Sequence, residues 1–273
     1  MNMMKGRNLI ILVGIPGWLY LIWLGGYYYT FFILSAMILG LQEFYELAEK
    51  KNTTPLRFMG FAIAVFIADY FHVQPEMTGF QFIGIFILII LIIFIWQLFR
   101  DTENPTENVA LTMKGILYIP VLLGTAIAVR QFDQQMDTHI TFALVSSVWA
   151  CDSAAFILGS IWGSSKIFPR VSPNKSWLGS LSGLIAAVLV FYGFQYYGAL
   201  GDIFTIENAL IMGLIAGLFG QIGDFYESML KRDAGVKDSG TLLRGHGGIL
   251  DRFDSLIFAT PTMFIYIHFI ILI

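Results

Sequence analysis

The sequence predicts an all-α fold, a polytopic integral membrane helix bundle of about nine transmembrane helices with its N-terminus in the cytoplasm. Three observations carry that expectation. The chain is 57% hydrophobic and only 13% charged, with a mean hydropathy of +0.72. Several apolar runs approach or exceed the roughly 18–20 residues that cross the hydrocarbon core as a helix. Finally, the basic residues divide between alternate loops. A closed barrel is the other spanning solution, but it would need alternating strands rather than solid apolar runs.

The runs fall at 8–25, 27–42, 58–71, 80–99, 116–129, 140–162, 177–197, 209–222 and 256–273. The first follows Lys5 and Arg7, a pattern shared with secretory signals, but no small-residue cleavage site follows, so it reads as a retained span. The fourth is the clearest, 20 residues without a charge. The third, fifth and eighth are short for spans. Threading all nine from a cytoplasmic N-terminus puts 15 of the 16 basic residues on the inner side, leaving only Arg130 outside. That is the asymmetry of the positive-inside rule, and a miscount of one span would scramble it. The segment 101–108 reads as a turn-rich linker, and Glu43, Glu46 and Glu49 as a solvated helix end. The chain is expected to form one integral unit, with N-terminal spans in 1–139 and a catalytic region in 140–273. A single cysteine, Cys151, leaves no internal disulfide and no cysteine-based zinc site.

Two inner loops carry the chemistry. Residues 224–255 hold 11 charged residues, against 16 basic and 19 acidic in the whole chain, together with five glycines. Charge near lipid is costly and tends to mark an ion or substrate site. Asp224, Glu227, Ser228 and Lys231 share one helix face if the eighth helix runs on to Lys231. Asp251, Asp254 and Ser255 repeat the spacing at the start of the ninth. Hard carboxylate oxygens suit Mg²⁺, which takes few protein ligands plus substrate phosphates. Lys237, Arg244 and the backbone N–H groups around Gly245, Gly247 and Gly248 could hold phosphates that no metal takes. The competing reading is a solvated loop anchored at headgroups. It suits Asp224 and Asp251 poorly, because they abut apolar spans and cannot reach far toward water. Glu227 and Asp254 could instead pair with Lys231 or Arg252. His246 could be a base, a phosphate donor or a turn residue. Asp152 lies within the sixth span, where an acid either completes a cation site or pairs with a loop lysine. No GxxxxGK[ST], HExxH or GxSxG pattern is present.

The stretch SMLKRDAGVKDSGTLLRGHGGILDRFD, 228–254, resembles the signature of the phosphatidate cytidylyltransferases (CDP-diacylglycerol synthases): a Ser, a Lys-Arg pair, Lys-Asp, His-Gly-Gly and Asp-Arg-x-Asp in order. Upstream, Asp152-Ser153, Gly159, Gly163, Lys166, Pro169 and Ser172-Pro173-x-Lys175-Ser176 resemble a second block, with Ser176 where Thr is commoner. The resemblance covers the C-terminal half. It implies that phosphatidate attacks the α-phosphorus of CTP and releases pyrophosphate, with Mg²⁺ required and room for a second cation. It implies metal roles for Asp224 and Asp251, extended here to Asp254, Glu227 and Asp152, with catalytic roles for Lys175 and His246. Contacts to the nucleotide fall to Ser172, Ser176, Ser228, Lys231, Arg232, Lys237, Asp238, Arg244, Gly247 and Gly248. CTP, phosphatidate and the bilayer are the expected partners, with no nucleic acid; a homodimer is the assembly the family suggests. A transporter would place its charge near the midplane on broken helices. A CDP-alcohol phosphotransferase would need an Asp-Gly-x-x-Ala-Arg start, which is absent.

Overall fold

The computed structural model describes residues 14–73, 79–240 and 247–271. Nine helices are found among them. They are α1 (Gly14–Leu24), α2 (Gly26–Glu49), α3 (Arg57–Val73), α4 (Gly79–Leu98), α5 (Pro105–Met136), α6 (Ile140–Trp162), α7 (Trp177–Tyr196), α8 (Ile206–Asp233) and α9 (Leu250–Ile271). Six of these, α2 and α5 to α9, are long and apolar enough to cross a membrane. Among the described residues, each apolar run of the sequence maps onto one helix. The fold is a polytopic membrane helix bundle, and α4 shows why: Ile83, Ile87, Leu91 and Ile95 stand exposed along it with no protein to cover them.

Helix ends differ from the hydropathy limits wherever polar residues continue a turn. The fifth run is the middle of a 32-residue helix. Its first half begins at Pro105, whose ring angle suits the first helical position, inside the segment expected to be a linker. Asn108 there is buried; its side chain accepts from the Thr54 N–H at 2.6 Å and donates to the Glu103 carbonyl at 2.8 Å. Pro120 sits in a five-residue π-helical stretch, Leu117–Val121, which accommodates a ring that cannot donate to the ladder. Gly25 joins α1 to α2 with φ +61° and ψ −152°, a backbone region essentially confined to glycine.

Contacts between loops show how the chain is threaded. At one end Lys51, after α2, pairs with Asp233 at the end of α8. Arg232 donates to Val171 in the α6–α7 loop at 3.3 Å, and Thr54 of the α2–α3 loop meets Asn108 at the start of α5. At the other end Arg130 donates to the Ile22 carbonyl at 2.6 Å, Gln131 meets His72 at 2.9 Å, and His139 N–H reaches Ala199 at 3.1 Å. Alternate loops therefore gather at opposite ends, as consecutive antiparallel spans require.

The C-terminal helices pack through small residues, which let backbones approach where lipid supplies no hydrophobic drive. A Cβ on Gly183 of α7 would stand 2.7 Å from the Cys151 carbonyl of α6, and one on Gly213 of α8 would stand 2.5 Å from the Val188 Cα of α7. Gly223 of α8 lies flat against the Asp254 carbonyl of α9. That last contact sets the site's central acids side by side.

Candidate active site

The site is assembled at the end where the even-numbered helices finish. Its first wall is the α6–α7 loop, which folds back as a tight hairpin: Ile167 N–H donates to the Lys175 carbonyl at 3.2 Å and Trp177 N–H to Ser165 at 3.0 Å. Lys166 ties the hairpin shut through the Gly163 and Asn174 carbonyls, at 3.3 and 3.2 Å. Ser176 is buried and caps α7, accepting from Gly179 N–H at 3.2 Å. The hairpin thereby delivers Lys175 to α8, where it pairs with Asp224 and lies 4.5 Å over the Phe225 ring. Ser172 is half-buried in the same loop, its N–H donating to Phe168 at 2.9 Å.

Helix α8 does continue to Asp233, so Asp224, Glu227, Ser228 and Lys231 do share a face. Ser228 Oγ lies 3.4 Å from Asp224 Oδ1. Lys231 stands between two carboxylates, 2.5 Å from Glu227 Oε2 and 2.5 Å from Asp251 Oδ1. Glu227 is fully buried, and apart from this ion pair neither of its oxygens accepts a well-aligned hydrogen bond.

Asp251 opens α9. Its Oδ2 accepts from Gly248 N–H at 2.7 Å, Ser239 N–H at 3.1 Å and the Ser239 hydroxyl at 2.9 Å. Gly247, at φ +75°, could carry no Cβ here, because Asp251 Oδ2 would be 2.5 Å away. The Gly248 N–H expected to cradle a phosphate is thus engaged by Asp251. Asp254, one turn on, accepts from Ser255 N–H at 2.6 Å and has Asp224, Glu227 and Asp152 as its charged neighbours.

Two clefts open onto this array. The more polar one, of about 530 Å³, lies among α6, α7 and α8; Asp152, Lys166, Lys175, Ser176, Gln221 and Asp224 line it beside Phe156 and Phe225. A largely apolar one of about 630 Å³ lies among α1, α2, α6 and α9; Trp18, Phe32, Trp149 and Phe253 line it beside Asp152, Asp251, Arg252 and Asp254. Asp152 belongs to both walls.

The remaining candidates lie as follows. Arg232 is spent on backbone, on Val171 and on Val236 at 3.0 Å. Lys237 and Asp238 are exposed beyond the end of α8. Arg244 and His246 lie outside the described residues. Asp224 and Asp251 line different clefts, and among the described residues no three His, Cys, Asp or Glu side chains come together as a ready-made metal cage. One expectation is overturned outright. Glu43 is not a solvated helix end but is buried, 5% exposed, and accepts from Ile249 N–H at 2.8 Å, Leu250 N–H at 2.9 Å and Ser239 Oγ at 2.9 Å. Hydropathy counting missed it because a carboxylate directly after an apolar run looks the same whether it meets water or a distant helix. Gln221 was also missed; it bridges α8 to Ser180 and Cys151, and its register three residues before Asp224 was the available signal.

The model of the cytidylyltransferase family matches residues 5–270, nearly the whole chain. This chain belongs to the cytidylyltransferase family. Among its relatives within that family, the phosphatidate cytidylyltransferase of Bacillus subtilis is 30% identical, over 96% of this chain and 96% of its own length. That of Synechocystis is 28% identical over 96% and 95% of the two chains. That of Haemophilus influenzae is 43% identical over 46% of this chain, so similarity rises where the match is confined to less than half the sequence.

Proposed function

We propose that this cytidylyltransferase-family protein transfers the cytidylyl group of CTP to phosphatidate, forming CDP-diacylglycerol and pyrophosphate for phospholipid synthesis. The observation that carries the reading is the pair of clefts, one richer in charged and polar side chains and one more apolar, sharing the Asp152 wall. A water-soluble polyanion and a lipid must meet at one phosphorus, and this arrangement offers each its own solvent. In the reaction a phosphate oxygen of phosphatidate forms a bond to the α-phosphorus of CTP, and the bond from that phosphorus to the bridging β-phosphate oxygen breaks. No protein nucleophile is needed, so the protein contributes positioning and charge compensation.

Lys175, Lys166 and Ser176 face the polar cleft and are assigned to the triphosphate. Arg252 is assigned to the lipid phosphate beside the apolar cleft. Asp224, Asp254 and Asp152 are neighbouring acids, Asp251 lines the apolar cleft together with Asp152 and Asp254, and Glu227 adds a buried carboxylate paired with Lys231. This donor set fits Mg²⁺, which keeps waters and takes substrate oxygens, better than an all-protein cage. Bound there, Mg²⁺ would offset the charge that builds on the leaving pyrophosphate. Lys175, already on Asp224, would exchange that partner for a phosphate when CTP enters. The distribution of basic residues supports a cytoplasmic site in the cell membrane, and homodimer assembly belongs to the same proposal.

Incubation of the purified protein with labelled CTP and phosphatidate should give CDP-diacylglycerol and one pyrophosphate per turnover, with no product when either substrate is left out. Asp224→Asn should lower kcat by about 10²-fold or more, in line with loss of a group that orients charge at the transition state. Near-normal turnover in that variant would remove Asp224 from the chemistry.

A further inference from the structure

Glu43 comes from α2, more than 200 positions before the α9 residues it touches, yet it reaches the centre of the charged array. Its two oxygens take the Ile249 and Leu250 N–H groups, which are orphan donors at the start of α9. A carboxylate is favoured there by the helix dipole as well. Gly240 and Gly248 press against it so closely that a side chain at either position would overlap the carboxylate. The site therefore has room for Glu43 and for little else.

The Ser239 hydroxyl connects this anchor to Asp251. Ser239 Oγ stands 2.9 Å from Glu43 Oε2 and 2.9 Å from Asp251 Oδ2. A hydroxyl has one proton to give, so the two acids draw on the same donor. Ser239 supplies two of the three donors on Oδ2 of Asp251, its N–H and its hydroxyl, so the place where Glu43 holds it bears on how that oxygen is engaged. That in turn leaves Oδ1 directed at Lys231.

We propose that Glu43 is a positioning residue for Asp251, acting through Ser239 and the α9 N-terminus to hold that carboxylate for divalent-cation binding. The inference rests on the reading of Asp251 as part of the cation site. Outer groups that orient a ligating carboxylate typically change metal affinity by about 10- to 100-fold when removed. Glu43→Gln and Ser239→Ala should each weaken cation affinity by at least the lower end of that range.

The test uses the purified full-length protein in detergent, titrated with Mn²⁺ alone and followed by the electron paramagnetic resonance signal of the free ion, with thermal unfolding recorded in parallel. Ser239→Ala leaves the Glu43 bonds to α9 in place, so its midpoint temperature should stay near that of the unsubstituted protein while Mn²⁺ affinity falls. Glu43→Asp, one methylene shorter but still charged, should recover part of the affinity that Glu43→Gln loses. In turnover both the Glu43→Gln and the Ser239→Ala proteins should lose more in kcat than in the KM for CTP. If Asp251→Asn weakens Mn²⁺ binding while Glu43→Gln or Ser239→Ala leaves it unchanged, Glu43 is a helix anchor only and the inference falls. If Asp251→Asn itself leaves Mn²⁺ binding unchanged, the cation reading of Asp251 fails and takes the inference with it.

Discussion

Lys231 shows how little of a residue's role lies in its own identity. The family resemblance implies a phosphate contact and the sequence also allows a pairing with Glu227; the fold sets it between Glu227 and Asp251, 11% exposed. Removing one member of a buried ion network leaves the others uncompensated, at a cost of about 3–5 kcal/mol. Lys231→Met should therefore lower the thermal unfolding midpoint sharply in detergent. Adding Glu227→Gln to that variant should restore a measurable part of the loss, because one of the two stranded charges disappears. Equal midpoints for the single and double variants would show that Lys231 does not compensate Glu227. The same logic separates the residues visible in sequence from those that were not. Asp224 and Asp251 stood out because acids abutting apolar spans are conspicuous. Glu43 did not, since only the long-range contact with Ser239, Ile249 and Leu250 distinguishes it from a solvated acid.

Among the elements, α8 and α9 form the working pair, and Gly223 is a point of close backbone approach between them. A Cβ there meets the Asp254 carbonyl, whereas one on Gly193 of α7 meets nothing within 4 Å. Overpacking of this kind costs about 1–3 kcal/mol, and here the strain falls on the backbone that carries Asp224 and Asp254. Gly223→Ala is expected to reduce turnover tenfold or more, and Gly193→Ala to leave it unchanged; phosphatidate-dependent pyrophosphate release measures both. Hydropathy located these helices but not their ends. The eighth run stops at Ile222 by composition, yet α8 continues for about three more turns to Asp233. Its last turns carry polar residues satisfied by Asp251, Val171 and Lys51, partners that no local window contains.

Across the whole molecule, the alternation of loop contacts between two ends agrees with antiparallel spans, and the proposed threading, read from the basic residues, puts the charged end in the cytoplasm. Single cysteines introduced at Lys50 and at Asp202, in a background with Cys151 replaced by Ala, test this. An impermeant thiol reagent added outside intact cells should label the cysteine at 202 and not the one at 50, with the reverse in inverted membranes. Labelling of both from the same side would overturn the threading.

Composition and hydropathy alone determined that this chain is a membrane bundle of about nine helices with its charge gathered at one end, because a lipid solvent penalises every polar group it cannot satisfy locally. Signature residues pointed to the family for a similar reason, since the charges that lipid tolerates are few. Tertiary structure decided which acid meets which base, that Asp224 and Asp251 line different clefts, and that Glu43 reaches the start of α9 from the other half of the chain. Those are pairings across up to 207 residues, and the energy that selects them exists only once the helices have packed.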